Sequence, residues 1–363
     1  MADFPVSFDD LEAAARAKLS KERFAYVASG AGSGTSVTEN VEELKRWKFV
    51  PRTLRSAPNR SSSTKVLGVD LSVPFMLAPV RGLAYIQENG EEICARAASN
   101  CAVPLVLSNL SSATPEVVSK LMGKTPKFFQ LYPCNDQEIT DSFIRRAERA
   151  GYQGIVLTVD VVPGVIQYSG PRTSEYQNYG NEVYLSDPVF LSRLKKTPKE
   201  NLSAAIEMIH FIRKAQFTWE EVERIRRTTT LPIVLKGVLN SEDALEAIRK
   251  GVQGIVVSNH GGRSIDATIS PIEVLPQIRE AVGDRLTVLC DGGIHSGYDV
   301  VKVLALGADA ALVGRAYVYA LAVAGEHGVE SLLRSMIHEI DIVLSALGCS
   351  TVAELEESFV SRI

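Results

Sequence analysis

The chain has 363 residues, of which 45% are hydrophobic and 23% are charged, and its formal net charge is −4 at pH 7. This composition is typical of a globular protein, and the small negative charge gives no electrostatic reason to expect nucleic acid or an anionic membrane as a partner. No apolar run approaches the ~18 residues of a membrane-spanning helix. The five cysteines include no CxxC pair, so we expect neither a disulfide framework nor a metal site.

Helices are predicted first, over Phe8–Lys18 and residues 21–29, within an N-terminal extension of residues 1–65. Short apolar runs follow, most of them separated by amphipathic stretches with helical spacing. The runs are residues 74–79, 104–108, 128–132, 154–160, 232–237, 254–259, 286–291 and 310–315. Repeated strand–helix alternation with nearly continuous apolar strands predicts an α/β fold, a parallel sheet closed into a (β/α)8 TIM barrel. An open doubly wound sheet is the alternative, but the sequence reveals no topological switch point for it.

The longest interval between predicted strands is residues 161–217, after the fourth strand. An insertion after a barrel strand falls on the catalytic face, so we interpret this segment as a lid, with a disordered insertion as the alternative. We therefore expect residues 1–363 to form a single barrel domain that carries the extension of residues 1–65 and the lid-like segment.

The most informative motif follows the sixth predicted strand and consists of residues 258–263, SNHGGR. His260 can accept a proton near neutral pH. Arg263 offers a planar guanidinium that fits a carboxylate bidentately. A solvated surface loop is the alternative interpretation of this motif taken alone.

Polar residues and glycines also follow other predicted strands, and in a barrel these strand ends converge on one mouth. They are Gln130, Tyr132, Thr158, Asp160, Lys236, Asp291, Gly292, Gly293, Gly314 and Arg315. The glycines after the last two strands allow backbone amides to approach a phosphate, which Arg315 can neutralise. A phosphate site with a lysine across the mouth indicates a nucleotide-like cofactor. No GxGxxG fingerprint follows a strand, which argues against a Rossmann-type nicotinamide site.

Together with residues 26–31, YVASGA, these motifs resemble the FMN-dependent α-hydroxy acid oxidase and dehydrogenase family over nearly the whole chain. The resemblance implies FMN as the cofactor and oxidation of an (S)-2-hydroxy acid to a 2-oxo acid. It also implies a homotetramer. We expect O2 as the electron acceptor, because the sequence contains neither a membrane-insertion segment nor a haem domain.

The resemblance implies specific roles for matching residues. His260 is similar to the base that receives the substrate's proton while flavin N5 accepts the hydride equivalent, and Asp160 to the partner that stabilises the imidazolium. Arg263 and Tyr26 resemble residues that bind the substrate carboxylate. Tyr132 resembles the tyrosine that faces the substrate hydroxyl. The positions that match cofactor-binding residues are Pro79, Val80, Arg81, Ser108, Gln130, Thr158, Lys236 (beside flavin N1 and O2), Ser258, Asp291, Gly292, Gly293, His295, Gly314 and Arg315.

Four positions depart from the family pattern. Gln167 replaces a second carboxylate-binding arginine, and Arg81 replaces a small residue beside the flavin. Leu110 replaces an aromatic residue. His295 replaces an arginine of the phosphate loop, so we expect weaker phosphate binding rather than its loss. We predict that Arg81 faces the mouth, where it compensates for the lost arginine or binds a second acidic group; the alternative is that it extends into solvent.

The altered pocket leaves a second function open, a barrel flavoprotein or phosphate-binding barrel used for a different oxidative or redox-neutral step on a pathway intermediate. A non-catalytic binding module is a third interpretation, against which the presence of His260, Asp160 and Arg263 argues. We expect a cytoplasmic protein, since residues 1–20 lack the apolar core of a signal peptide. Residues 361–363, SRI, weakly resemble a peroxisomal address, which gives the alternative location.

Overall fold

The computed structural model describes residues 4, 7–160, 165–213 and 217–363. The parts of the predicted N-terminal extension and lid that fall on residues 1–3, 5–6, 161–164 and 214–216 lie outside the described residues. No helix in the described part of the chain has the length and apolar character needed to cross a membrane.

A closed barrel of eight parallel strands forms the centre of the fold. The strands in chain order are β1 (Trp47–Phe49), β2 (Thr64–Val66), β3 (Val69–Leu71), β4 (Phe75–Leu77), β5 (Leu105–Ser108), β6 (Lys127–Leu131), β7 (Ile155–Thr158), β8 (Ile233–Val238), β9 (Gly254–Val257), β10 (Thr287–Cys290), β11 (Ala310–Val313) and β12 (Val360–Arg362). Strands β4 to β11 pair in sequence, and β11 closes the barrel against β4. The predicted TIM barrel is confirmed, and the open doubly wound alternative is wrong.

The helices surround this barrel. They are α1 (Phe8–Lys18), α2 (Lys21–Ala28), α3 (Thr35–Arg46), α4 (Gly90–Asn100), α5 (Pro115–Met122), α6 (Gln137–Arg149), α7 (Glu182–Leu185), α8 (Pro188–Ser192), α9 (Leu202–Ile212), α10 (Trp219–Thr228), α11 (Ser241–Arg249), α12 (Pro271–Val282), α13 (Gly297–Ala305) and α14 (Arg315–Leu347). Helix α14 bends where Ala324 and Gly325 leave the helical conformation. The two helices predicted in the N-terminal extension are confirmed, the second ending at Ala28 because Ser29 is already extended.

Apolar side chains fill the barrel, and each of the eight barrel strands contributes at least one of them. These buried residues are Met76, Val106, Phe128, Val156, Val234, Val256, Leu289, Ala310 and Leu312. Their neighbours along the strands point outward, because side chains alternate between the faces of a strand. The hairpin β2–β3 packs Val66 and Leu71 onto the same interior cluster. Its Leu67 lies beside Gly154 and Gly254, at the amino ends of their strands, so the barrel is closed at that end.

The described part of the insertion after β7 includes three helices, α7 to α9, and residues 182–213 are folded rather than disordered. Tyr184 and Phe190 are buried. From α6, Arg146 donates through Nη1 to the Val183 carbonyl oxygen at 2.8 Å and pairs with Asp187 at 3.5 Å. These contacts hold the insertion against the barrel wall, while its role as a lid stays a prediction.

Two side-chain amides join the N-terminal extension to the end of β9. Asn40 of α3 donates through Nδ2 to Asn259 Oδ1 at 2.9 Å, and Asn259 donates in return to Asn40 Oδ1 at 2.8 Å. Both side chains are buried. The turn that carries His260 is therefore held from outside the barrel by a reciprocal pair of hydrogen bonds.

We expect Asn40→Ala to lower the free energy of unfolding by about 1–3 kcal/mol, because it removes both hydrogen bonds and leaves a buried amide less satisfied. Equilibrium urea unfolding measures this change. The matched control is Asn100→Ala, whose exposed amide bonds Glu330 and whose loss should cost less than about 0.5 kcal/mol. Equal losses for the two variants would contradict the role given to the amide pair.

Candidate active site

A row of hydrogen-bonded polar side chains lines the carboxyl ends of strands β5 to β7. Ser108 Oγ donates to Gln130 Oε1 at 2.8 Å, and Gln130 Nε2 donates to Thr158 Oγ1 at 3.0 Å. All three side chains are buried. The row forms because parallel pairing brings residues at the ends of neighbouring strands side by side, as it does for Ser108 and Gln130.

Lys236 continues this row on β8, where it is paired in register with Thr158. Its Nζ donates to Ser258 Oγ at 2.9 Å and forms an ion pair with Asp291 at 2.9 Å. Burial by itself lowers the pKa of Lys236, but Asp291 and Asp160 outweigh this effect and raise it. Lys236 is therefore a fixed cation, and Asp291 Oδ1 stays buried without a hydrogen-bond partner in the described residues.

The predicted base and its partner are in contact. His260 Nδ1 lies 2.9 Å from Asp160 Oδ1, and His260 Nε2 lies 3.4 Å from the Tyr132 hydroxyl. Burial raises the pKa of Asp160, but His260 and Lys236 lower it by more, so the carboxylate is ionised. An ionised Asp160 favours the tautomer with the proton on Nδ1, which leaves Nε2 as the acceptor on the side of Tyr132. Burial and Asp160 raise the pKa of Tyr132, so its hydroxyl keeps its proton.

The turn that carries the histidine has an unusual backbone. His260, Gly261 and Gly262 all have positive φ, at 60°, 62° and 75°. A histidine in this region is uncommon and is retained when the surroundings determine it. Here Ser258 Oγ accepts from the His260 amide and Asn259 Oδ1 from the Gly262 amide, both at 3.0 Å. The sequence gives no signal for this conformation of His260.

The two residues predicted to bind a carboxylate lie together beside the mouth. Arg263 lies with its Cζ 5.7 Å from the centre of the Tyr26 ring. Its Nη1 donates to the carbonyl oxygen of Ser29 at 2.7 Å. The Tyr26 hydroxyl donates to the carbonyl oxygen of Arg81 at 2.8 Å. A guanidinium and a phenol thus share one wall of the cavity, although their binding of a carboxylate stays a prediction.

Arg81 lines the cavity and does not extend into solvent as the alternative required. Its Nε donates to the Tyr179 carbonyl oxygen at 3.3 Å and its Nη2 to the Gln177 carbonyl oxygen at 3.1 Å. Gln167 lies apart from the main cavity, in a smaller adjoining one, beside Arg213 and Arg263. Arg213 also lines the main cavity. The sequence interpretation missed Arg213, because this residue lies deep in the insertion, where no motif indicates its position.

The loops after β10 and β11 also line the cavity, with Gly292, Gly293, Gly314 and Arg315. A Cβ atom at Gly314 would meet nothing within 4 Å, so this backbone borders open space. Burial and Arg263 lower the pKa of Arg315 to about 10, which keeps the guanidinium charged at neutral pH. His295 stacks on Phe8 with ring centres 3.4 Å apart. Burial, Arg315 and Lys45 lower the pKa of His295 to about 3, so it can donate a hydrogen bond here but adds no charge.

Most residues predicted to bind the cofactor line this single cavity. They are Pro79, Val80, Arg81, Ser108, Thr158, Lys236, Asp291, Gly292, Gly293, His295, Gly314 and Arg315. Gln130 and Ser258 are buried and are not among its lining residues, but they bond to Thr158 and Lys236, which are.

The cavity is lined by residues at or just after the carboxyl ends of all eight barrel strands. Lys236 and Arg315 supply cations at separate positions along it, and Asp291 Oδ1 offers a buried acceptor without a partner. The residues therefore fit a flat, phosphorylated cofactor with polar ring edges. A (β/α)8 barrel with this pocket and a His–Asp pair at the same mouth defines a cofactor-dependent barrel enzyme.

Comparison with known proteins identifies the family. The model of the FMN-dependent dehydrogenase family matches residues 15–362. The chain is 35% identical over 363 residues to an L-lactate oxidase of Lysinibacillus sphaericus, covering 98% of this chain and 92% of that protein. It is 39% identical over 350 residues to a 4-hydroxymandelate oxidase of Amycolatopsis orientalis, covering 96% of each. A crystal structure of mandelate oxidase with benzoyl-formic acid superimposes with a TM-score of 0.85 at 35% identity, covering 98% of both chains.

The chain belongs to the FMN-dependent dehydrogenase family, and FMN is the cofactor that the family model specifies. The recognition made from the strand-end motifs is confirmed. The individual roles given to the site residues stay predictions.

The low pKa of His295 predicts a pH dependence of stability. Its folded-state value of about 3 lies below the unfolded value of about 6.5. Between these values the unfolded chain binds the extra proton, so stability is lost as pH falls below about 6.5. We expect FMN-free wild type to lose on the order of 1 kcal/mol more per pH unit than His295→Gln between about pH 6 and pH 4.

Urea unfolding at stepped pH values tests this prediction, with a Gln substitution at the exposed His338 of α14 as the control. Parallel pH profiles for wild type and His295→Gln would show that the imidazole is not held neutral.

Proposed function

We propose that this protein oxidises an (S)-2-hydroxy acid to the 2-oxo acid, with His260 as the base and FMN as the electron acceptor. The observation that carries the proposal is the contact between His260 and an ionised Asp160, made at the cavity that fits the cofactor. The names of the relatives, L-lactate oxidase and 4-hydroxymandelate oxidase, support the same reaction class.

The His–Asp pair carries the proton transfer. The substrate hydroxyl gives its proton to His260 Nε2, which forms an imidazolium. Asp160 accepts a hydrogen bond from the proton on Nδ1 and so stabilises this imidazolium. Tyr132, 3.4 Å from Nε2, keeps its proton and donates to the substrate oxygen. When bound, FMN accepts the two electrons and the hydrogen that leave the α-carbon.

Other residues position the substrate and hold FMN. Arg263 and Tyr26 bind the substrate carboxylate from one wall, which orients the α-carbon toward the cofactor. Lys236 would hold a positive charge toward the N1 and O2 edge of a bound flavin, where negative charge collects on reduction. Gly292, Gly293 and Arg315 would hold the cofactor phosphate, and His295, which is neutral, would add only a hydrogen bond.

We further propose O2 as the acceptor that reoxidises the flavin, in line with the oxidase names of the relatives. The family resemblance supports a homotetramer. We keep a cytoplasmic location as the proposal and a peroxisomal one as its alternative, since some relatives carry peroxisomal names.

Anaerobic mixing of the FMN-loaded protein with a panel of (S)-2-hydroxy acids tests the reaction. We expect at least one member to bleach the yellow flavin absorbance as the cofactor is reduced. A flavin that keeps its colour with every member would overturn this proposal and support a barrel used for a different step.

Replacing His260 with Gln should slow this bleaching by about 10²–10⁴-fold, the contribution of a general base, while FMN stays bound. The control is His327→Gln, which removes an exposed histidine of α14. Rapid mixing under anaerobic conditions measures the rate, and flavin absorbance after gel filtration measures retention. Near-wild-type reduction by His260→Gln would remove this residue from the mechanism.

Gly237 gives a second test of the pair. It has φ of +114°, and a Cβ atom there would lie 2.4 Å from Asp160 Cβ. Gly237→Ala should therefore displace Asp160 and slow flavin reduction by about 10²-fold, the effect of a misplacement near 1 Å. The control is Gly123→Ala, where φ is +54° and a Cβ atom meets nothing within 4 Å. Equal reduction rates in the two variants would show that the position of Asp160 does not matter.

A further inference from the structure

Two arginines line the cavity in addition to Arg263 and Arg315. Arg81 follows β4, and Arg213 follows α9 at the end of the insertion, so they reach the same cavity from different elements. Within the described residues, neither forms an ion pair with a carboxylate. The cavity therefore carries two further guanidinium groups whose charge no described carboxylate neutralises.

Arg81 is held in place by backbone. Its bonds to the carbonyl oxygens of Gln177 and Tyr179 fix the guanidinium, and its Cζ lies 5.7 Å from the centre of the Tyr176 ring. Burial lowers the pKa of Arg81, and repulsion from Arg213 lowers it further. Both guanidinium groups line the same cavity, so both are available to an anion bound there.

Arg213 lies beside the predicted reaction centre. Its Cζ is 5.5 Å from the centre of the ring of Tyr132, the residue that contacts His260. Its Nε is buried, and no described residue accepts a hydrogen bond from it. His210, one turn earlier on α9, has a buried Nε2 that also lacks a partner, and burial together with Arg81 and Arg213 lowers its pKa. A buried guanidinium N–H without an acceptor is costly unless a ligand supplies one.

An anion between the two arginines removes this cost, because it neutralises their repulsion and accepts the free N–H. The α-carboxylate of the substrate does not need this pair, since Arg263 and Tyr26 already lie together at the cavity. Leu110 also lines the cavity, and a leucine leaves more room for a substrate chain than the aromatic side chain it replaces in the family pattern.

We propose that Arg81 and Arg213 form a second anion subsite and that the substrate is a 2-hydroxy acid with a second carboxylate. This inference rests on the proposed function for the orientation of the substrate. The α-carboxylate binds Arg263 and Tyr26, the hydroxyl lies between His260 and Tyr132, and the second carboxylate binds Arg81 and Arg213.

Binding of inert products to the oxidised, FMN-loaded protein tests the subsite without turnover. The probes are a chain-length series of dicarboxylic 2-oxo acids, each compared with the methyl-terminated 2-oxo acid of equal carbon number, 2-oxoglutarate against 2-oxovalerate among them. Perturbation of the flavin absorbance gives each Kd. We expect at least one diacid to bind about tenfold or more tightly than its partner, the effect of one charge-assisted hydrogen bond.

Arg213→Gln and Arg81→Gln should each remove most of this preference, by weakening the diacid about tenfold and leaving the monoacid nearly unchanged. The control is Arg145→Gln, an exposed arginine of α6 outside the cavity. A series without any diacid preference would overturn the subsite. Equal weakening of diacid and monoacid in Arg213→Gln would also overturn it, because Arg213 would then bind the α-carboxylate.

Anaerobic flavin reduction by the matched 2-hydroxy acids separates this inference from the proposed function. Faster reduction by a diacid, lost in both variants, supports the subsite. Equal bleaching by diacids and monoacids overturns the subsite and leaves the oxidation intact. If no hydroxy acid bleaches the flavin, the proposed function fails, while the product-binding measurement still decides whether the anion subsite exists.

Discussion

Three consecutive residues with left-handed backbone, His260 to Gly262, join the cavity of the barrel to the N-terminal extension. The turn accepts support from each side: Asn259 bonds Asn40 of α3, the Gly262 carbonyl accepts the Ala31 amide at 2.8 Å, and the Gly261 carbonyl accepts Arg315 Nη1 at 2.9 Å. Because the backbone direction at His260 decides where its imidazole lies, these contacts set the geometry of the pair with Asp160. The N-terminal extension is thus part of the active-site scaffold.

Charge in the mouth is organised around that turn. Lys236 and Asp291 neutralise each other on one side, and an ionised Asp160 holds His260 on the other. Burial strengthens the electrostatic attraction within each pair, because the protein interior screens charge weakly. The guanidinium groups of Arg81 and Arg213, like those of Arg263 and Arg315, form no ion pair in the described residues, and Arg213 alone among the four has a buried Nε without an acceptor there.

The barrel was predictable because parallel strands covered on both faces appear as continuous apolar runs. Because the carboxyl ends of barrel strands converge, the sequence was also enough to predict that Lys236, Asp160 and His260 lie at one mouth, although it gave no distances between them. Features made by contacts distant in sequence gave no such signal. The Asn40–Asn259 amide pair, the stacking of Phe8 on His295 and the placement of Arg213 each depend on how separate segments pack, and no local periodicity encodes this.

The packed interior and the β2–β3 hairpin have a kinetic consequence. Because the described residues close the amino end of the barrel, the substrate enters and the product leaves through the carboxyl end. Binding and release through a single opening are sequential, because a second substrate molecule binds only after the first product has left. When departure is the slowest event, steady-state turnover reports the escape of the product rather than bond breaking.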